Sequence, residues 1–252
     1  MKNKFLNLIL IAIALTGCAS AIDSNGYTYD PWEPVNRKIF VFNDTLDTIL
    51  LKPIATGYHA LMPDFGERRV NNFFGNLDDV GSFANSVLQL EFEQSMNILA
   101  RVINNTVFGL GGLFDVATPL GNPKIKKDFG STLDHYGIAS GPYIVIPILG
   151  PSTLRDGFGL AVDRAFFEPL GYYNPDSHRL ALTGAKYVQK RANLLSTERA
   201  IGSDVGDKYL LVRDSWLQYR WNQLYGEGAN TGQQQAIDDI FAEELQNTPP
   251  QE

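Results

Sequence analysis

The segment GPYIVIPILGPSTLRDGFG, residues 141–159, is strongly apolar in its first half, yet its backbone cannot form one helix. Pro142, Pro147 and Pro151 lack the amide hydrogen that an interior helical position donates, and Gly141 and Gly150 favour turns. Tyr143, Ile144, Val145, Ile146, Ile148 and Leu149 therefore need a protein core or a setting where water is scarce, and this stretch leaves both open. Polar sequence follows at once. Ser152 is placed to cap a helix that starts after Pro151 and carries Arg155, Asp156 and Asp163.

The N-terminus narrows the choice. Lys2 and Lys4 precede the apolar run LNLILIAIAL, too short to cross a bilayer, and LTGC follows. This is the layout of an export signal at residues 1–17. Cys18, the only cysteine in the chain, closes a sequence like the bacterial lipobox, in which that cysteine is acylated and becomes the mature N-terminus. With Ala19 rather than an aspartate after it, enteric-type sorting directs the product to the outer membrane. Buried acyl chains stabilise attachment by about 0.8 kcal/mol per methylene, so such a cysteine is a durable anchor. A net charge of -7 and the lack of a long Lys/Arg run argue against nucleic acid as a partner.

Residues 18–30 form a small, polar tether, and 31–225 read as one mainly α domain with an irregular Gly/Pro-rich centre. The acidic, polar 226–252 read as a flexible tail. A helix is expected over 34–51, with Val35, Ile39, Phe42, Leu46, Ile49 and Leu50 on one face and Phe40 and Val41 widening it. Pro53 opens a second short helix. Asp64 and Glu67 have capping-box spacing, and a long helical stretch follows with breaks at Gly75 and Gly81. Glycines 109, 111 and 112 end the next helix, residues 121–151 show no helical period, and helices are expected over 178–200 and 205–225.

Bond-making chemistry finds little support. FGLGGLFD lacks the third glycine of a dinucleotide loop and reads as a helix stop or a close-packing site. Ser131, Asp134 and His135 are the residue types of a hydrolase triad. They are nearly consecutive, however, whereas triad members converge from separate segments. His59, His135 and His178 are scattered, without the spacing of a metal site.

Six motifs then appear in order: DPWEPVNRKIFVFNDTLD, NNFFGNLDD, INNTVFGLGGLFDVA, FGSTLDHYG, GPYIVIPILGPSTLRD and DKYLLVRDSWLQYR. Together they resemble the MlaA/VacJ family of outer-membrane lipoproteins, over nearly all of the mature chain to about Arg220. Asp134 stands where that family often has glycine, and Val80 where proline is common. The resemblance implies a helical ring sunk in the inner leaflet of the outer membrane, with an amphipathic channel. It also implies association with a trimeric porin and transfer of misplaced phospholipid to a soluble periplasmic carrier, with no cofactor. In that setting Tyr143, Ile144, Ile146, Ile148 and Leu149 belong to a channel hairpin. Arg155 is the expected phosphate contact. Asp156 and Asp163 are expected to meet a head-group amine or to position Arg155. The competing readings are a structural porin-associated lipoprotein and a lipid hydrolase using Ser131 and His135.

Overall fold

The computed structural model describes residues 30–201 and 206–226. The signal, Cys18, nearly all of the tether and the acidic tail lie outside them. The described chain is mainly helical. Pro34 occupies the first turn of α1 (Glu33–Leu46), where its missing N–H costs nothing. The chain then widens into a π-helical turn, Asp47–Leu51, and continues directly as α2 (Lys52–Leu61). Pro53 explains the widening, because a proline ring clashes with the carbonyl one turn back and the local ladder shifts to wider bonds. Lys52 N–H accordingly bonds Asp47 O.

Helix α3 (Asp64–Leu88) runs unbroken through Gly75 and Gly81, contrary to the expected breaks. A side chain at Gly75 would crowd Lys124 Nζ, and one at Gly81 would touch Phe167 O, so both glycines serve close approach. The Asp64/Glu67 capping box is also absent: Pro63 precedes the helix, no side chain caps it, and Glu67 pairs instead with His59 Nδ1 at 2.8 Å. The real break lies at Leu90 (φ 59°), ahead of α4 (Phe92–Val107). Within the centre expected to be irregular, α5 (Phe129–His135) is closed by a capping box between Asp128 and Ser131. Next come β1 (Tyr143–Ile146) and β2 (Gly150–Thr153), an antiparallel hairpin with Ile146 opposite Gly150.

Helix α6 (Leu154–Val162) is capped by Thr153, whose side chain accepts from Asp156 N–H; the expected cap, Ser152, lies in the strand. A π-helical turn (Asp163–Phe167) and a 3₁₀ turn (Pro169–Tyr172) lead to α7 (Asp176–Ile201), and α8 (Lys208–Tyr225) completes the described chain. Helices α5 and α6 cross at Gly130 and Gly159. A Cβ on Gly159 would lie 2.4 Å from Gly130 N, so only glycine permits this crossing.

A two-stranded hairpin alone is marginal. Its outer edge is completed by α1. Asn36 Oδ1 accepts from Val145 N–H at 2.9 Å, and its amide donates to Tyr143 O at 3.1 Å. Seven residues on, Asn43 Oδ1 accepts from Ile148 N–H at 2.7 Å, and Asn43 Nδ2 donates to Ile146 O at 3.0 Å. Two turns of helix thus bring two amides to strand spacing, and the helix stands in for a third strand.

The interior is unusually polar. Asn85, Ser86, Ser95, Asp79, Arg101, Asn105, Arg155, Asp156, Lys186, Gln189 and Arg220 are buried, while Val41, Phe42, Ile49, Leu50, Leu61, Phe92, Val107, Phe108 and Leu110 are exposed. The broad apolar face expected on α1 is divided: Ile39 and Phe40 pack against Tyr209 and the hairpin, Leu46 is half-buried, and Val35, Val41 and Phe42 face outward. No helix among the described residues is long and apolar enough to cross a membrane.

Candidate functional site

A cavity of about 880 Å³ lies between α3, the 124–128 segment, the hairpin tip, α6 and its π-helical extension, α7 and α8. That volume lies within the range of about 300–1,000 Å³ found for sites that enclose drug-sized ligands. Ile148, Leu149, Leu160, Phe167, Leu170 and Leu180 provide apolar lining. The charged part of the lining carries Lys124, Lys126, Lys127, Arg164, Lys186 and Lys190, interspersed with Asp78, Asp163 and Glu168.

Strand alternation sorts the candidate hairpin residues. Tyr143 is fully buried with Val145 against Tyr209, Leu217 and Trp216, so it is a core residue and not a lining one. Ile144 and Ile146 point the other way, both near Gly157 of α6, and do not line the cavity. Ile148 and Leu149, in the turn, do line it. Ile148 adopts φ 67°, a region that disfavours β-branched residues, and the residue is 62% exposed. The strained turn carries the apolar tip into open space while Asn43 holds its backbone.

Arg155 and Asp156 are not on the cavity either. Both are buried in an ionic network behind it, beside a second, smaller cavity of about 110 Å³. Arg155 pairs with Asp134 through a short contact, donates to Asp156 at 3.1 Å and reaches Ile138 O at 3.1 Å. Its Nε and Nη1 donors are engaged by protein acceptors, with Asp134 and Asp156 as its counter-charges. Arg220 completes the network with paired bonds to Asp128 at 2.6 and 2.8 Å and to Asp156 at 3.0 and 3.0 Å. Burial opposes this arrangement, but the Arg220 guanidinium still holds the Asp128 carboxyl below the usual carboxylate range.

Asp163, unlike Asp156, lines the cavity. Its oxygens accept from Asn85 Nδ2 and Phe129 N–H, each at 2.9 Å, and burial pushes its pKa up to about 6. Ser131 and His135 do not assemble a nucleophilic pair. The Ser131 hydroxyl donates to Asp128 O at 2.6 Å within the capping box, and His135 Nδ1 lies 3.6 Å from Glu91.

The lysines of the lining went unremarked in the sequence, although a signal was there. KIKK places Lys124, Lys126 and Lys127 together in a chain of net charge -7, and Lys186 and Lys190 are one helical turn apart.

The family described as MlaA lipoprotein matches residues 28–223. The chain belongs to the MlaA lipoprotein family. The intermembrane phospholipid transport system lipoprotein MlaA of Escherichia coli is 34% identical over 225 residues, covering 86% of this chain and 87% of that protein. Its Haemophilus influenzae counterpart is 33% identical over 224 residues, covering 86% and 89%. A solved structure, reported as the structural basis for maintenance of bacterial outer membrane lipid asymmetry, superposes with a TM-score of 0.67 at 31% identity. It covers 77% of this chain and 98% of its own. The mainly helical architecture of the MlaA family is therefore the architecture of this chain.

Proposed function

We propose that this protein is a phospholipid conduit of the bacterial outer membrane, taking mislocalised phospholipid from the outer leaflet and passing it to a soluble periplasmic carrier. The observation that carries this reading is the cavity. Its lining combines apolar side chains, among them Ile148 and Leu149 of the hairpin tip, with lysines, so a single amphipathic molecule meets both chemistries it contains. The names of the MlaA relatives point to the same cargo. The outward apolar side chains of α1, α4 and the 107–110 segment suit contact with acyl chains of the periplasmic-facing leaflet. A trimeric porin is the proposed neighbour in the membrane, and lipidated Cys18 the proposed anchor. Transfer of this kind makes and breaks no covalent bond, so no catalytic residue or cofactor is required.

Proteoliposomes carrying the acylated protein, a porin trimer and labelled phospholipid test the reading directly. Label should pass to an added periplasmic carrier faster than from porin-only vesicles; equal rates would refute the conduit. Cys18→Ala should abolish acylation as read by mass spectrometry, because the chain has no second cysteine.

A further inference from the structure

The charges around the cavity do not balance pairwise. Lys186 is held by Asp78 at 2.7 Å and Glu168 at 2.8 Å, Lys124 by Asp79 at 3.1 Å, Lys127 by Glu91 at 2.9 Å, and Arg179 by Asp176 at 2.8 Å. Arg164 is held by the Tyr187 hydroxyl, and two lysines are left over. Among the described residues Lys126 Nζ has only the Tyr219 hydroxyl at 3.1 Å and the face of its ring at 5.7 Å. Lys190 makes no hydrogen bond or ion pair with any described residue, though it lies within electrostatic reach of Lys126, Lys186, Asp78 and Glu168. The carboxylates of the lining are already engaged: Asp78 and Glu168 by Lys186, Asp128 by Arg220, Asp176 by Arg179. Asp163 spends both oxygens on Asn85 and Phe129.

We propose that Lys126 and Lys190 form an oxyanion site in the cavity that takes the phosphodiester of an anionic phospholipid head group. This rests on the conduit reading and adds a selectivity to it. An ammonium compact enough to hold its charge at one point attracts phosphate without requiring a fixed fork, which suits a ligand in passage. Lys190 projects from α7 and Lys126 from the segment before α5, so the site opens between elements far apart in sequence. Leu160, Phe167, Leu170 and Leu180 share the cavity and offer apolar surface to the glycerol and the first acyl methylenes. Each carboxylate there already has a protein partner, whereas the two ammonium groups have no carboxylate of their own, so an anionic head group such as that of phosphatidylglycerol is favoured over a zwitterionic one. Lys190 is exposed on the cavity lining and bonded to no described residue, so an arriving phosphate oxygen displaces only water from it.

The test uses the acylated full-length protein in neutral-detergent micelles with labelled phosphatidylglycerol, and with labelled diacylglycerol as the phosphate-free comparison. Lys190→Gln with Lys126→Gln should weaken phosphatidylglycerol retention about ten-fold and leave diacylglycerol retention unchanged. Lys190→Arg should retain binding, and an unchanged circular dichroism spectrum and denaturation midpoint should accompany every variant. Undiminished phosphatidylglycerol retention in the double variant overturns the site, as does an equal loss of both lipids. Displacement of phosphatidylglycerol by millimolar inorganic phosphate identifies a free-phosphate site and overturns the head-group assignment. The two readings separate by transfer to the carrier. A wild-type protein that transfers no phospholipid sinks the conduit, whereas wild-type transfer equalled by the double variant, with unaltered lipid preference, sinks only the lysine site.

Discussion

Asn43→Leu is the substitution that best isolates what holds the hairpin tip over the cavity. The change keeps side-chain size and removes two hydrogen bonds, 2.7 Å from Ile148 N–H and 3.0 Å to Ile146 O. Each such bond contributes about 1 kcal/mol net, so the pinned tip should lose about 2 kcal/mol, or about 30-fold in its opening equilibrium. Water replaces part of this at the exposed Ile148, making about 30-fold an upper figure. Relief of the positive φ at Ile148 on release works in the same direction. Amide hydrogen exchange reads the effect residue by residue, because Ile148 N–H is held by Asn43. Protection at Ile148 should fall about 10- to 30-fold, while Val145, held by Asn36 at 2.9 Å, keeps its protection. Unchanged exchange at Ile148 would refute the pinning argument. Equal loss at Ile148 and Val145 would show that α1 supports the hairpin as a whole and not at two separate points.

Three further outcomes are expected. Arg220→Met leaves Asp156 with Arg155 alone and Asp128, whose side chain is partly exposed, without its cation, and chemical denaturation in detergent should show a loss of about 3 kcal/mol at neutral pH, the low end for breaking a buried pair. Because Asp128 is depressed in the fold, its contribution is present above its unfolded pKa and lost on acidification, so the gap between wild type and variant should narrow below about pH 4. Asp163 has the opposite sign. Its folded pKa of about 6 lies above its ordinary value of 3.8, so it costs stability as pH rises through that window, and the stability of wild type minus Asp163→Asn should fall between those pH values. Leu149→Asp puts a charge in the apolar lining at a position that is not fully buried, and should slow lipid transfer while sparing the denaturation midpoint; unaltered transfer would remove Leu149 from the lipid path.

The placement of the helices was largely legible in the sequence because it is set locally. Pro34 opens α1, the glycines from 109 onward follow the end of α4, and the apolar and polar periods over 178–200 and 205–225 lie within one to three residues of α7 and α8. Family membership was legible too, since ordered motifs survive whatever the packing. Gly75 and Gly81 misled, because a glycine inside a helix signals a break or a close neighbour equally well, and only Lys124 and Phe167 decide which. Alternation along Tyr143–Ile146 was visible in principle, but which face met α8 was not, so Tyr143 was expected at the lipid and lies in the core. Arg155 looked free because its partners sit at Asp134 and Ile138, and Lys190 looked ordinary because nothing in the chain shows that its neighbours' carboxylates are already taken. Propensity and punctuation act within a turn or two of chain. The vacancy of a charge is a balance among residues dozens of positions apart, and the fold alone brings those residues within reach.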